Sequence, residues 1–204
     1  MKTAARTARG PGLSRKQLLR RALAVSGGLA LGGGLDAQLL SEATAAPSPA
    51  QDVRILNFFL LLEYVEEGLY SEASGSSGLR GEPLEFARIA REHERAHVKL
   101  LERRLGDKAK PRPQLRFDDA VRDNRTFLAR AIELEEAAAA AFIGEAANLT
   151  KRSIPDAARI VSVDARHSAW LRSIAGRLPA PRAADAAESA SGVIKLVRSR
   201  GFVR

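Results

Sequence analysis

Glu94-Arg95-Ala96-His97, set within Arg91-Glu92-His93-Glu94-Arg95-Ala96-His97-Val98-Lys99-Leu100-Leu101, decides the fold because it has a near twin in Asp164-Ala165-Arg166-His167. An acid followed three residues later by a histidine puts both side chains on one helix face about a turn apart. A carboxylate oxygen and an imidazole nitrogen then reach toward one ion, so two such pairs predict two metal positions. The chain holds three histidines. Chance gives two of three an acid at that spacing in only about 4% of chains of this composition, which favours a functional origin.

The pairs belong to a longer repeat. Leu62-Glu63, with Tyr70 seven positions after the acid, is answered about 70 residues later by Leu134-Glu135, with Phe142 seven positions after it. Leu101 and Leu171 each stand four residues after the paired histidine. Each half therefore reads as a helix pair with one acid on its first helix and an acid-x-x-His on its second. Two such pairs facing each other would bring Glu63, Glu94, His97, Glu135, Asp164 and His167 to the centre of a bundle.

The surrounding chain supports four long helices. Residues 51–73 read as the first, with Ile55, Leu56, Phe58, Phe59, Leu60, Leu61 and Leu62 apolar on nearly every face and Glu63 embedded directly after them. Ser74-Gly75-Ser76-Ser77-Gly78 stops it, and Pro83 suits the first turn of a second helix over 83–105, ended by Gly106. The connection from Gly106 to Phe117 carries Pro111 and Pro113 and favours an extended path. At full extension it spans about 40 Å, against about 35 Å for a helix of this length, so it can cross the whole bundle. That predicts an up, down, down, up order. A third helix is expected over 118–149, with the Ala137–Ala141 run offering a surface for close approach. A fourth is expected over 154–177, with Ser153 and Asp156 as a capping box. Residues 179–204 form a tail in which Val193, Ile194, Leu196, Val197, Phe202 and Val203 suit a short amphipathic helix on the bundle. Nothing reads as a strand, and the fold class is all-α.

From roughly residue 51 to 178 the sequence resembles the ferritin-like family of exported bacterial proteins. Ile55-Leu56-Asn57-Phe58, Leu62-Glu63-Tyr64, Glu94-Arg95-Ala96-His97-Val98 and Asp164-Ala165-Arg166-His167 carry the resemblance. It implies a ferritin-like four-helix bundle with a carboxylate-bridged pair of iron or manganese ions. Glu63, Glu94 and His97 would serve one ion, and Glu135, Asp164 and His167 the other, with Glu94 and Asp164 as bridges. Asp164 departs from the family pattern, where glutamate is usual, and its shorter side chain puts the second position in question.

Composition narrows the chemistry. With no cysteine among 204 residues, disulfides, thiolate sites and iron–sulfur clusters are excluded, and a tight metal site must use carboxylates and imidazoles. The net charge of +9 is unevenly placed. The first 45 residues carry seven Lys and Arg against two acids, which leaves 26 bases and 22 acids for the rest. The body alternates its charges along helices and has few aromatics, so it lacks the basic groove and stacking platforms of a nucleic-acid binder.

Residues 1–45 read as an export signal. A basic stretch ends at Arg21, an uncharged Gly-rich run follows from Ala22 to Leu35, and Ala43-Thr44-Ala45 suits cleavage before Ala46. The run is short for a membrane span, so removal is expected rather than a retained anchor. Ser14-Arg15-Lys16-Gln17-Leu18-Leu19-Arg20 resembles a twin-arginine motif with Lys16 at the second arginine. That route carries folded proteins with cofactors in place, and the expected destination is the periplasm, envelope or exterior. Residues 46–50 form a Pro-rich linker. Two functions fit this reading. One is a di-iron or di-manganese protein oxidising iron or reacting with oxygen or peroxide; the other is a metal-free helical scaffold or binding module at the cell envelope. The sequence names neither a substrate nor an oligomeric state.

His93, beside Glu94 but about 100° round the helix, reads as solvated or supporting a ligand rather than as a ligand. Glu66, Glu67, Glu133 and Glu136 read as surface charges flanking the ligands, with a register slip from Glu135 to Glu136 as an alternative. Tyr70, Phe142 and Trp170 read as core.

Overall fold

Ser48 sets the first helix. Its hydroxyl accepts a hydrogen bond from the Gln51 amide at 3.2 Å, and Pro49 opens the first turn, where its missing N–H costs nothing. In the computed structural model, which describes residues 46–117 and 119–203, helix α1 accordingly spans Pro49–Gly75 and takes in the end of the expected linker. The export-signal reading falls on residues 1–45 and lies outside the described residues. Helix α2 spans Glu82–Leu105 and ends at Gly106, whose φ of 57° is a left-handed conformation that suits glycine. Helices α3 (Asn124–Glu145), α4 (Ile154–Ile174) and α5 (Ala190–Ser199) complete an all-α fold. The single β-bridge among the described residues joins Leu115 to Val203.

One further helix start and one helix cap differ from expectation. Helix α3 begins at Asn124 rather than 118, because the Asp123 carboxylate accepts the Thr126 amide at 2.8 Å and caps it there. Ser153 does not cap α4 through its side chain. Its hydroxyl instead donates to Asp52 Oδ2 at 2.6 Å, while the Thr150 amide donates to Asp52 Oδ1 at 2.9 Å. A buried carboxylate on α1 outcompetes the local cap, and it ties the start of α1 to the turn before α4.

Cross-helix contacts fix the directions. Glu63 meets His97 and Tyr70 meets Phe86, so α1 and α2 are antiparallel. Phe59 meets Phe142 and Tyr70 meets Glu135, so α3 also runs against α1. Arg104 pairs with Asp156 and Glu94 with His167, so α4 runs against α2. The order is up, down, down, up. The crossover makes this possible by running along α1. Asn57 holds it at Lys108 and Lys110, the Arg112 guanidinium lies 4.6 Å from the Tyr64 ring centre, and Ser76 donates to the Val121 carbonyl.

The core is a stack of large side chains between α1 and its neighbours. Phe58, Phe59, Leu62, Phe86, Leu101, Phe127 and Ile160 are almost wholly buried. Helix α5 packs on α3 through Val193 and Val197. The chain leading into it crosses α3 where the side chains are small: the Glu188 amide donates to the Ala140 carbonyl at 2.9 Å, and an added Cβ at Gly144 would stand 2.1 Å from the Glu188 carbonyl oxygen. No described helix is long and apolar enough to cross a membrane.

Candidate metal centre

Helix α1 supplies Glu63, α2 supplies Glu94 and His97, α3 supplies Glu135, and α4 supplies Asp164 and His167. The i, i+3 spacing turns each α2 and α4 pair to one face, and antiparallel packing sets those faces against each other. All six side chains are buried, and the four carboxylates have no exposed surface.

Glu94 divides its two oxygens. Oε2 lies 2.7 Å from His97 Nδ1 and Oε1 lies 2.9 Å from His167 Nδ1. His97 Nδ1 also stands 3.1 Å from Glu63 Oε2 and 3.8 Å from Asp164 Oδ1, while His167 Nδ1 stands 3.2 Å from Glu135 Oε1. The six residues thus form two overlapping groups, Glu63–Glu94–His97–Asp164 and Glu94–Glu135–Asp164–His167, in each of which one donor atom per residue lies within 4.8 Å of the others. Glu94 and Asp164 belong to both groups. Two carboxylates therefore stand between the two groups, each of which could hold a metal ion.

A family model described as a ferritin-like domain matches residues 51–177. The chain belongs to the ferritin-like domain family. A search of curated proteins found no match. The matched span of the ferritin-like domain contains all six residues of the centre, together with the crossover that sets the helix order.

The electrostatics of the domain's centre are those of charges confined without enough counter-charge. Burial, then the charges of Asp164 and Glu94, hold the Glu63 carboxyl well above its usual range. Asp164 is raised well above its range by burial and by Glu94 and Glu135, and Glu135 is raised by burial. Glu94 goes the other way. Burial opposes its ionisation, but the closeness of His167 and His97 outweighs it and brings the carboxyl down to about 2. His167 is the counterpart: burial disfavours its charge, yet Glu135 and Glu94 push it up to about 10.

Three residues extend the site beyond the sequence reading. Glu66, expected at the surface, is wholly buried one turn after Glu63, and neither of its oxygens has a hydrogen-bond partner. Its carboxyl is held well above the usual range by burial, then by the charges of Glu135 and Glu63. Tyr70 is buried as expected, but its hydroxyl also donates to Glu135 Oε1 at 2.5 Å, which leaves Glu135 Oε2 without a partner. His93 is exposed, and its Nδ1 lies 2.9 Å from His167 Nε2 with the two rings 3° from parallel.

The other flanking acids divide. Glu67, also expected at the surface, is buried and pairs with Arg112 at 2.6 Å. Glu133 pairs with Arg200 and Arg130, and Glu136 is exposed and pairs with Arg172, so the inward position on α3 is Glu135. Phe142 is core, stacked on Phe59, whereas Trp170 departs from expectation. It is 38% exposed and lies edge-on over Phe86 at the α2–α4 surface.

Proposed function

We propose that this ferritin-like domain holds two iron ions, or two manganese ions, between its four helices and uses them to oxidise ferrous iron or to react with oxygen or peroxide. One observation carries the reading. Glu63 Oε1, Glu94 Oε1, Glu135 Oε2, both Asp164 oxygens and His167 Nδ1 are buried at one place without hydrogen-bond partners. His167 Nδ1 approaches two carboxylates, but neither approach is aligned as a hydrogen bond. Each such buried group costs about 1–3 kcal/mol, so six together are a large expense unless cations repay it. Four carboxylates and two imidazoles match the charge of two divalent ions, and hard oxygen donors with no sulfur suit iron and manganese.

The residues would divide the work as follows. Glu63 and His97 face the first position, Glu135 and His167 the second, and Glu94 and Asp164 face both. Tyr70 fixes the Glu135 carboxylate by donating to one oxygen and leaving the other free to bind. An ion bound at His167 Nδ1 would leave the ring's proton on Nε2, where His93 Nδ1, 2.9 Å away, would accept it and hold the ring in that tautomer. Phe86 packs edge-on against the His167 ring at 5.7 Å and helps keep water from that side. Iron or manganese bound here would supply one-electron redox chemistry toward oxygen or peroxide.

The export reading is part of the same proposal and rests on the sequence of residues 1–45. A twin-arginine route would let the centre be loaded before the protein leaves the cytoplasm. Elemental analysis of the protein purified from its own compartment tests the metal reading. Two iron or manganese ions per chain support it, and a metal-free chain would establish the helical scaffold instead.

A further inference from the structure

Glu66 is the acid that the six-residue centre does not use. It lies three residues after Glu63 on α1, so it shares the inward face and sits about 4.5 Å further along the bundle axis. The neighbouring contacts fix which half of the centre it faces. Helix α2 runs against α1, with His97 level with Glu63 and His93 one turn back, in contact with His167. Tyr70, one turn beyond Glu66, reaches Glu135. Glu66 therefore sits between Glu63 and Tyr70 at the level of the Glu135–His167 half. It is 0% exposed, and both of its oxygens are unpartnered.

The same half contains the short bridge. Asp164 lacks one methylene relative to glutamate, so its carboxylate stands about 1.5 Å further back from the centre. Resting on the two-ion reading above, we propose that Glu66, which stands outside both four-residue groups, turns onto the second metal position as a seventh ligand and adds a carboxylate oxygen there beside the shorter Asp164. Two facts that are otherwise unconnected then have one cause: an uncompensated buried carboxylate, and an aspartate at a bridging position. Asp52 and Glu67, buried elsewhere on the same helix, each have donors for their carboxylates, whereas neither oxygen of Glu66 has one.

The test is a calorimetric titration of the metal-free full chain with manganese(II). The wild type is expected to bind two ions. Glu66→Gln is expected to bind the first as before and the second about 10- to 100-fold more weakly. Restoring the long bridge, Glu66→Gln with Asp164→Glu, is expected to recover most of that loss. Metal-free Glu66→Gln is expected to melt at or above the wild-type temperature, because an unpartnered buried carboxyl has been removed; a lower melting temperature would mark a structural role. The assignment is overturned if Glu66→Gln binds both ions with wild-type affinity, if both ions weaken equally, or if the longer bridge fails to rescue. A wild-type chain that binds no manganese or iron overturns the two-ion reading itself, and one that binds a single ion overturns the second position and the Glu66 role together.

Discussion

His93 Nδ1 lies 2.9 Å from His167 Nε2, with the two imidazole planes 3° from parallel, so an exposed histidine on α2 holds the orientation of a buried one on α4. His167 can present Nδ1 to the centre with a defined tautomer only if Nε2–H has an acceptor. Replacing His93 by Phe keeps a flat ring and removes the acceptor. The second metal is expected to bind about 10-fold more weakly, the first unchanged, as read by manganese(II) titration. Equal affinities in wild type and variant would mean that His93 merely packs on the ring.

Glu94 stands in both groups, with one oxygen toward each histidine, and His97 belongs to the first. The double change Glu94→Gln with His97→Ala is expected to bring metal content from two ions per chain to none. The bundle should still fold, since the apolar stack around Phe58, Phe59 and Leu101 is untouched. Metal analysis beside far-ultraviolet circular dichroism reads both outcomes. Undiminished metal in the folded variant would remove these residues from the site.

Asp52 accepts hydrogen bonds from the Thr150 amide, the Thr150 hydroxyl at 2.5 Å and the Ser153 hydroxyl. Burial works against its ionisation, but these donors and Arg104 outweigh it and lower the carboxyl below its usual range. Asp52→Ala strands buried donors and is expected to cost about 2–3 kcal/mol in urea unfolding. The pH dependence follows from the lowered value. The Asp52 contribution is fully present above the unfolded-state pKa of about 3.9 and is lost as pH falls through the lower folded value. The gap between wild type and variant should therefore narrow below about pH 4. A gap that stays constant into acid would show that the carboxylate charge plays no part.

Phe59 is fully buried and stacks on Phe142 with ring centres 3.8 Å apart. Phe59→Ala opens a cavity between α1 and α3 and is expected to destabilise the bundle by about 3–5 kcal/mol in denaturant unfolding. A loss below about 1 kcal/mol would mean that the helices close over the gap.

Gly144 is set against the Glu188 backbone, where a Cβ would meet the carbonyl oxygen at 2.1 Å. Gly144→Val is expected to push the segment before α5 off α3 and to speed tryptic cleavage in the 179–189 stretch. Unchanged cleavage would show that the tail shifts without loosening.

How much of this was legible in the sequence varies by element. The acid-x-x-His pairs and the Leu-Glu helices were readable because i, i+3 geometry is local, and the six residues do meet in the bundle. The helix order was readable because a proline-bearing crossover of that length has few places to go. The start of α3 was misjudged because the competing cap, Asp123 on Thr126, looks like one more charged residue in an ordinary loop. Glu66 was misjudged although the signal was present: it stands in the same i, i+3 relation to Glu63 as His97 does to Glu94, and that rule applied to α1 would have turned it inward.

The sequence by itself determined the helices, their order and the six residues that converge, because these depend on periodicity, spacing and chain length. Tertiary structure alone decided that Glu66 is buried without a partner, that Tyr70 takes one oxygen of Glu135, that His93 reaches His167 and that Ser153 serves Asp52 rather than its own helix. Each of these depends on how far a helix is rotated about its axis and on what the facing helix presents at that level. Packing of the whole bundle sets both quantities; local spacing can turn Glu66 inward, but it encodes neither its lack of a partner nor the other three contacts.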